Sequence, residues 1–95
     1  MNEFFVALGR RWAEHAAKRG APIVAPELDP QVAEEILQLA RVVAHTKERS
    51  FAPLASFTAG VAAERLRVAK GSGPADVASY VREVRESLES EAGGG

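Results

Sequence analysis

The sequence predicts an all-α protein, a compact four-helix arrangement whose neighbouring helices are mostly antiparallel. Apolar residues recur at the three- and four-residue spacing of a helix, and no stretch sustains the alternation of a strand. Glycine, proline and polar residues interrupt this pattern around residues 20–30, 46–50 and 70–74. A chain of 95 residues suffices for one core. We therefore expect a single domain over residues 1–90 and a disordered glycine-rich tail at 91–95.

The first two predicted helices have clear ends. Helix one runs from about Asn2 to Lys18, and Gly20 suits the positive-φ position after it. Its apolar residues share an arc about 120° wide, typical of a helix that anchors the core; they are Met1, Phe4, Phe5, Leu8, Trp12 and Ala16. Asp29 and Pro30 are typical of the cap and first position of helix two. Its apolar arc is broad, which predicts the most buried helix, with Glu34 and Glu35 near the positive end of its dipole.

Helices three and four follow the later breaks. Helix three starts near Ser50, with bulky apolar residues inward and small ones that permit close helix packing, including Gly60. Helix four follows Pro74 and has a narrow apolar stripe, so we expect it to lie on the bundle, with Arg85 in solvent. The predicted core contains Leu8, Trp12, Ile36, Leu39, Val43, Leu54, Phe57 and Val61.

Composition and motifs exclude several functions. Lys and Arg number 12 and Asp and Glu 13, and neither half of the chain is biased, so we expect no nucleic-acid partner. The chain has no cysteine and no phosphate-binding loop or metal-ligand motif, so we expect no catalytic residue, no cofactor and no metal. The acidic start and the absence of a long apolar run predict a cytoplasmic protein without a membrane segment.

The first candidate site lies at the end of helix two, where His45 is followed by Glu48 and Arg49. Cationic side chains at a helix C-terminus complement the negative end of its dipole, which is a purely structural explanation. The functional alternative is that His45, Lys47 and Arg49 offer donors to an anion, such as a phosphate or a partner's carboxylate.

The second candidate site is the pair Thr58 and Arg65 on helix three. Seven residues apart, they project within about 20° of each other from the apolar arc. Arg65 either extends along the core to reach solvent or, if buried, needs a carboxylate, for which Glu48 is the nearest candidate. Thr58 can bond to the backbone of its own helix.

The residues around the second break resemble a small bacterial domain of uncharacterised function. The similarity covers about residues 28–63 and rests on the run 37–45, on Glu48-Arg49, on Ala52-Pro53-Leu54, and on Phe57, Gly60 and Ala62. Ser50 stands where that family commonly has proline. The family's domain occurs alone or fused behind molybdenum-cofactor guanylyltransferases, so the resemblance implies an association with that pathway and assigns no activity.

Three hypotheses follow. The leading one is a non-enzymatic helical accessory domain whose protein partner is a molybdenum-cofactor guanylyltransferase or a molybdoenzyme. The alternatives are a general protein-interaction module and a small anionic-ligand binder at His45 and Arg49. Val6 and Val42 lie off the main arcs of their helices and are compatible with a homodimer face or a docking face.

Overall fold

The computed structural model describes residues 2–93 and contains four α-helices. They are α1 (Glu3–Lys18), α2 (Pro30–Thr46), α3 (Phe51–Lys70) and α4 (Pro74–Gly93), and no strand occurs within residues 2–93. The predicted all-α class with four helices is confirmed. Helix α4 extends into the stretch predicted as a disordered tail; residues 94 and 95, and Met1 of the predicted α1 arc, lie outside the described residues.

A capping side chain, a proline and two positive-φ glycines mark the helix ends. The Asn2 side chain caps α1 by accepting a 2.7 Å hydrogen bond from the Phe4 amide. Gly20 has the predicted positive φ of 76°, and α2 begins at Pro30. Gly71 ends α3 in the left-handed conformation, with φ of 66°.

The residues divide into two compact units, Met1–Pro30 and Gln31–Gly95. The single domain over residues 1–90 stays a prediction. In the first unit, Gly9 is buried, and a Cβ atom added to it would overlap the carbonyl oxygen of Pro26. Glycine at this position therefore allows the chain after α1 to return close against the helix.

The core of the second unit consists of Leu39, Val43 and Val81, with Ala78 also buried. Since two of these four residues belong to α4, the prediction that α4 lies on the outside is wrong. The apolar stripe of α4 is narrow, but the small residues of α3 that face this stripe let α4 pack close to α3. Half-buried residues complete the core: Ile36, Ala55, Ala59, Val77 and Leu88.

Helix α3 packs two alanines against the core, whereas several of its bulky residues are exposed. Ala55 and Ala59 pack against the core, whereas Leu54 is 63% exposed and Phe57 is 72% exposed. The prediction that Leu54 and Phe57 lie in the core is therefore wrong, as it is for Trp12, which is 59% exposed. Leu8, Ile36 and Val61 are half-buried.

An ion-pair network around the buried Glu35 connects α2 to α4. Glu35 is only 8% exposed and accepts hydrogen bonds from Arg82 Nε at 3.0 Å and from Arg85 Nη2 at 3.4 Å. Arg85 also donates from Nη1 to Glu89 at 2.7 Å. The prediction that Arg85 lies in solvent is therefore wrong, because its side chain is only 17% exposed and pairs with Glu35 between the helices.

Two glycine substitutions should change stability in opposite directions. Gly60→Ala should stabilise the protein by about 0.5–1 kcal/mol, because a Cβ there meets open space and the predicted packing role of Gly60 is wrong. Gly9→Ala should destabilise the first unit by about 1–3 kcal/mol, because its Cβ meets backbone. Urea unfolding followed by circular dichroism and by Trp12 fluorescence measures both; a Gly9→Ala variant as stable as the wild type would contradict the close approach.

Removal of the buried carboxylate should be costly. Glu35→Ala leaves the partly buried Arg85 guanidinium without its partner on α2, so we expect a loss of about 3 kcal/mol. Thermal unfolding should then show a midpoint more than roughly 10 °C lower. Glu34→Ala is the matched control, since Glu34 is exposed and only accepts a bond from Gln38 on the same helix. Equal midpoints for the two variants would show that the network does not stabilise the fold.

Candidate functional site

The predicted site at the α2–α3 junction is a solvent-exposed turn. His45 lies in the last turn of α2, Glu48 and Arg49 lie in the connection, and all three are exposed. Glu48 accepts a 3.2 Å hydrogen bond from the Ser50 hydroxyl. The side chains of His45 and Arg49 make no hydrogen bond or ion pair within residues 2–92. The role of these three residues stays a prediction.

Thr58 and Arg65, in contrast, line one groove between α3 and α4. The groove has a volume of about 580 Å³, and its other lining residues are Phe57, Val61, Ala62, Leu66 and Tyr80. The Thr58 hydroxyl donates to the Ala55 carbonyl oxygen at 2.8 Å, the local bond expected of a helical threonine. Arg65 is exposed and makes no side-chain hydrogen bond or ion pair within residues 2–92, so the pairing with Glu48 is wrong.

A second groove, of about 480 Å³, lies on the other side of the same residues. Phe57, Val61 and Arg65 line both grooves and follow one another at four-residue intervals along α3. We call these three residues the α3 ridge. Side chains four residues apart on a helix form the rows that pack into the grooves of another helix.

Two charged side chains beside the ridge, Glu64 and Arg67, pair with each other, whereas Arg65 on the ridge does not take part in this pair. Glu64 accepts two hydrogen bonds from Arg67, at 2.6 and 3.0 Å. The Arg67 guanidinium thereby lowers the pKa of the Glu64 carboxyl, and the carboxylate raises the pKa of Arg67. Because Glu64 is held by Arg67, it does not neutralise Arg65. The ridge therefore carries one positive charge without a partner among the described residues.

The ridge belongs to a longer apolar surface, which we call the α3 outer face: Leu54, Phe57, Val61, Arg65 and Val68. Leu54 is 63% exposed, and Phe57 and Val68 are each 72% exposed. Sequence reasoning missed this surface because it treated the bulky arc of α3 as the buried one. The available signal was a second arc, made of alanines, on the same helix.

No group of three or more metal-ligating side chains is close enough to hold an ion in the part of the chain that the structure describes. Among the same residues, no helix combines the length and the apolar character that crossing a bilayer requires.

Fold and site thus define a small all-α domain with an exposed, largely apolar helix face. The chain belongs to the DUF6457 family, described as a domain of unknown function, which matches residues 6–94. The predicted membership of a family of uncharacterised function is confirmed, and the match extends beyond residues 28–63. No curated protein and no solved structure matches the chain.

Arg65 should contribute little to the stability of the free protein. Arg65→Ala removes an exposed side chain without a polar partner, so we expect the free energy of unfolding to change by less than about 0.5 kcal/mol. Arg85→Ala removes bonds to Glu35 and Glu89 and should cost about 1.5–3 kcal/mol. Urea unfolding of both variants measures the difference; a loss for Arg65→Ala as large as that for Arg85→Ala would give Arg65 a structural role.

Proposed function

We propose that this domain performs no catalysis and binds a helix of a partner protein on the α3 outer face. The observation that carries the proposal is the exposure of its large apolar side chains, 72% for Phe57 and Val68 and 63% for Leu54. Single exposed apolar residues are common on protein surfaces, but a continuous row on one helix is typical of an interaction site.

The shape of the face supports a helical partner. The α3 ridge stands between grooves of about 580 and 480 Å³. A second helix can set its own rows of side chains into these grooves while the ridge enters a groove of the partner. Spacing of anchors by three and four residues, as in Leu54, Phe57 and Val61, is the pattern of helix-to-groove recognition.

The charge on the ridge specifies the chemistry of the partner further. Arg65 has guanidinium donors that no described side chain uses, and Glu64 is engaged by Arg67. A carboxylate on the partner helix, surrounded by apolar side chains, would accept a charge-assisted hydrogen bond from Arg65. We therefore propose a partner helix with an apolar stripe and one Asp or Glu opposite Arg65.

Within this role, we propose a partner from molybdenum-cofactor guanylylation, either the guanylyltransferase or a molybdoenzyme. The support is the sequence resemblance over residues 28–63, which implies a domain that occurs alone or fused to such enzymes. The chain itself has no glycine-rich nucleotide loop, so its contribution to that pathway would be contact with another protein.

The experiment has two stages. The tagged domain is first used to capture proteins from its native cell, and any guanylyltransferase or molybdoenzyme recovered is then purified and titrated against it. Phe57→Ala and Arg65→Glu should each weaken binding at least about tenfold, as expected for central contact residues. Leu37→Ala and Lys70→Glu are matched controls, since both residues are exposed and lie off the α3 outer face, and they should change affinity less than about twofold.

Each stage can overturn one part of the proposal. Failure to recover a guanylyltransferase or molybdoenzyme contradicts the link to molybdenum. Equal affinity of the face variants and the controls for a purified partner contradicts the α3 outer face as the docking site. Sedimentation of the domain alone tests a third outcome: self-association abolished by Phe57→Ala would replace the partner helix with a second copy of this chain.

A further inference from the structure

The unit Met1–Pro30 contains an open groove of about 760 Å³. Its floor is an apolar row along α1, with Leu8, Trp12 and Ala16 at four-residue intervals. Ile23 and Pro26, from the chain that returns after α1, form the opposite wall. Trp12 is 59% exposed and Ile23 52% exposed, so apolar surface is accessible within the groove. We call this the α1 groove.

A row of basic side chains runs beside the apolar row. Arg11, His15 and Arg19 line the same groove, again at four-residue intervals, and all three are exposed. No acidic side chain lines the groove, and none of these three side chains forms an ion pair or a hydrogen bond within residues 2–92. An occupant therefore meets apolar surface along one side, and two guanidinium groups and an imidazole along the other.

We infer that the α1 groove binds an acidic amphipathic helix of a protein partner. Residues four apart on a helix are spaced by about 6 Å along its axis, so carboxylates at four-residue intervals would match Arg11, His15 and Arg19 one to one. An apolar row on the same peptide helix would cover Trp12 and Leu8. This surface lies on a different unit from the α3 outer face, and the inference does not depend on the proposed function.

Two other anionic occupants fit the groove less well. A bilayer surface is flat on this scale, whereas the wall of Ile23 and Pro26 makes the site concave. Duplex DNA offers phosphates to the basic row but nothing apolar to cover the equally long row of Leu8, Trp12 and Ala16. A helical peptide satisfies both rows at once.

The chain's single tryptophan lies in the groove, so its fluorescence reports occupancy directly. The probe is a helix-forming peptide with Glu at three successive four-residue positions beside a row of Leu, titrated into the full chain. Binding should be saturable, should shift the Trp12 emission to shorter wavelength and should weaken as salt rises. The same peptide with Gln in place of Glu should bind at least about tenfold more weakly.

Charge reversal tests the basic row. Arg11→Glu combined with Arg19→Glu should reduce affinity for the Glu peptide at least about tenfold. Arg10→Glu is the matched control, because Arg10 is exposed on the same helix but does not line the groove, and it should change affinity less than about twofold. Circular dichroism of each variant verifies that the helices are intact.

Four outcomes would overturn the inference. They are the absence of an emission shift with the Glu peptide, equal binding of the Gln peptide, equal weakening by the Arg10→Glu control, and tighter binding of random duplex DNA or of phosphatidylglycerol vesicles than of the peptide. Phe57→Ala should leave peptide binding unchanged, so this result and the result for the α3 outer face can be read separately.

Discussion

The size of the side chains on α3 governs how the second unit packs and which surface it leaves in solvent. Ala55 and Ala59 lie against Leu39, Val43 and Val81, and their small volume lets α3 come close to its neighbours. A helix that packs its alanines against the core turns the bulky side chains of its opposite face away. The exposure of Leu54, Phe57 and Val68 is therefore the direct consequence of the packing that forms the core. Core and proposed docking face are two sides of the same helix.

A second constraint holds α2 and α4 in register. Glu35 accepts hydrogen bonds from both Arg82 and Arg85, which lie three residues apart on one side of α4. Apolar contacts alone tolerate sliding between helices, whereas a buried carboxylate must meet its donors at one position. We attribute the defined position of Val81 beside Leu39 and Val43 to this bond pair as much as to shape. With that register set, Tyr80 of α4 lies beside Thr58 and completes the groove next to the α3 ridge.

The sequence predicted well what depends on local chemistry. Gly20 and Pro30 mark helix ends through positive φ and fixed φ, as predicted, and each acts within a few residues of its own position. The shared direction of Thr58 and Arg65 was also predictable, because seven residues make almost two full helical turns.

What could not be predicted depends on residues distant in the chain. Helix α3 has two apolar arcs, and its contact with α4 decides that the alanine arc packs against the core. Glu34 and Glu35 are adjacent and chemically alike, yet only Glu35 faces the arginines of α4. The importance of Gly9 depends on Pro26, which lies beyond the end of the helix. Each of these outcomes requires knowledge of which surfaces meet.

The charge of the whole chain conceals its local distribution. The net charge is −1, and the first and second halves are each nearly balanced. On α4, Arg82 and Arg85 form ion pairs with Glu35. In the α1 groove, by contrast, Arg11, His15 and Arg19 have no acidic residue beside them in the lining. A partner approaching within a Debye length, about 8 Å at physiological ionic strength, meets the local charge rather than the sum. Binding of the proposed acidic helix would therefore depend on which side chains share the α1 groove, and a nearly neutral chain can present a local surface that suits an acidic partner.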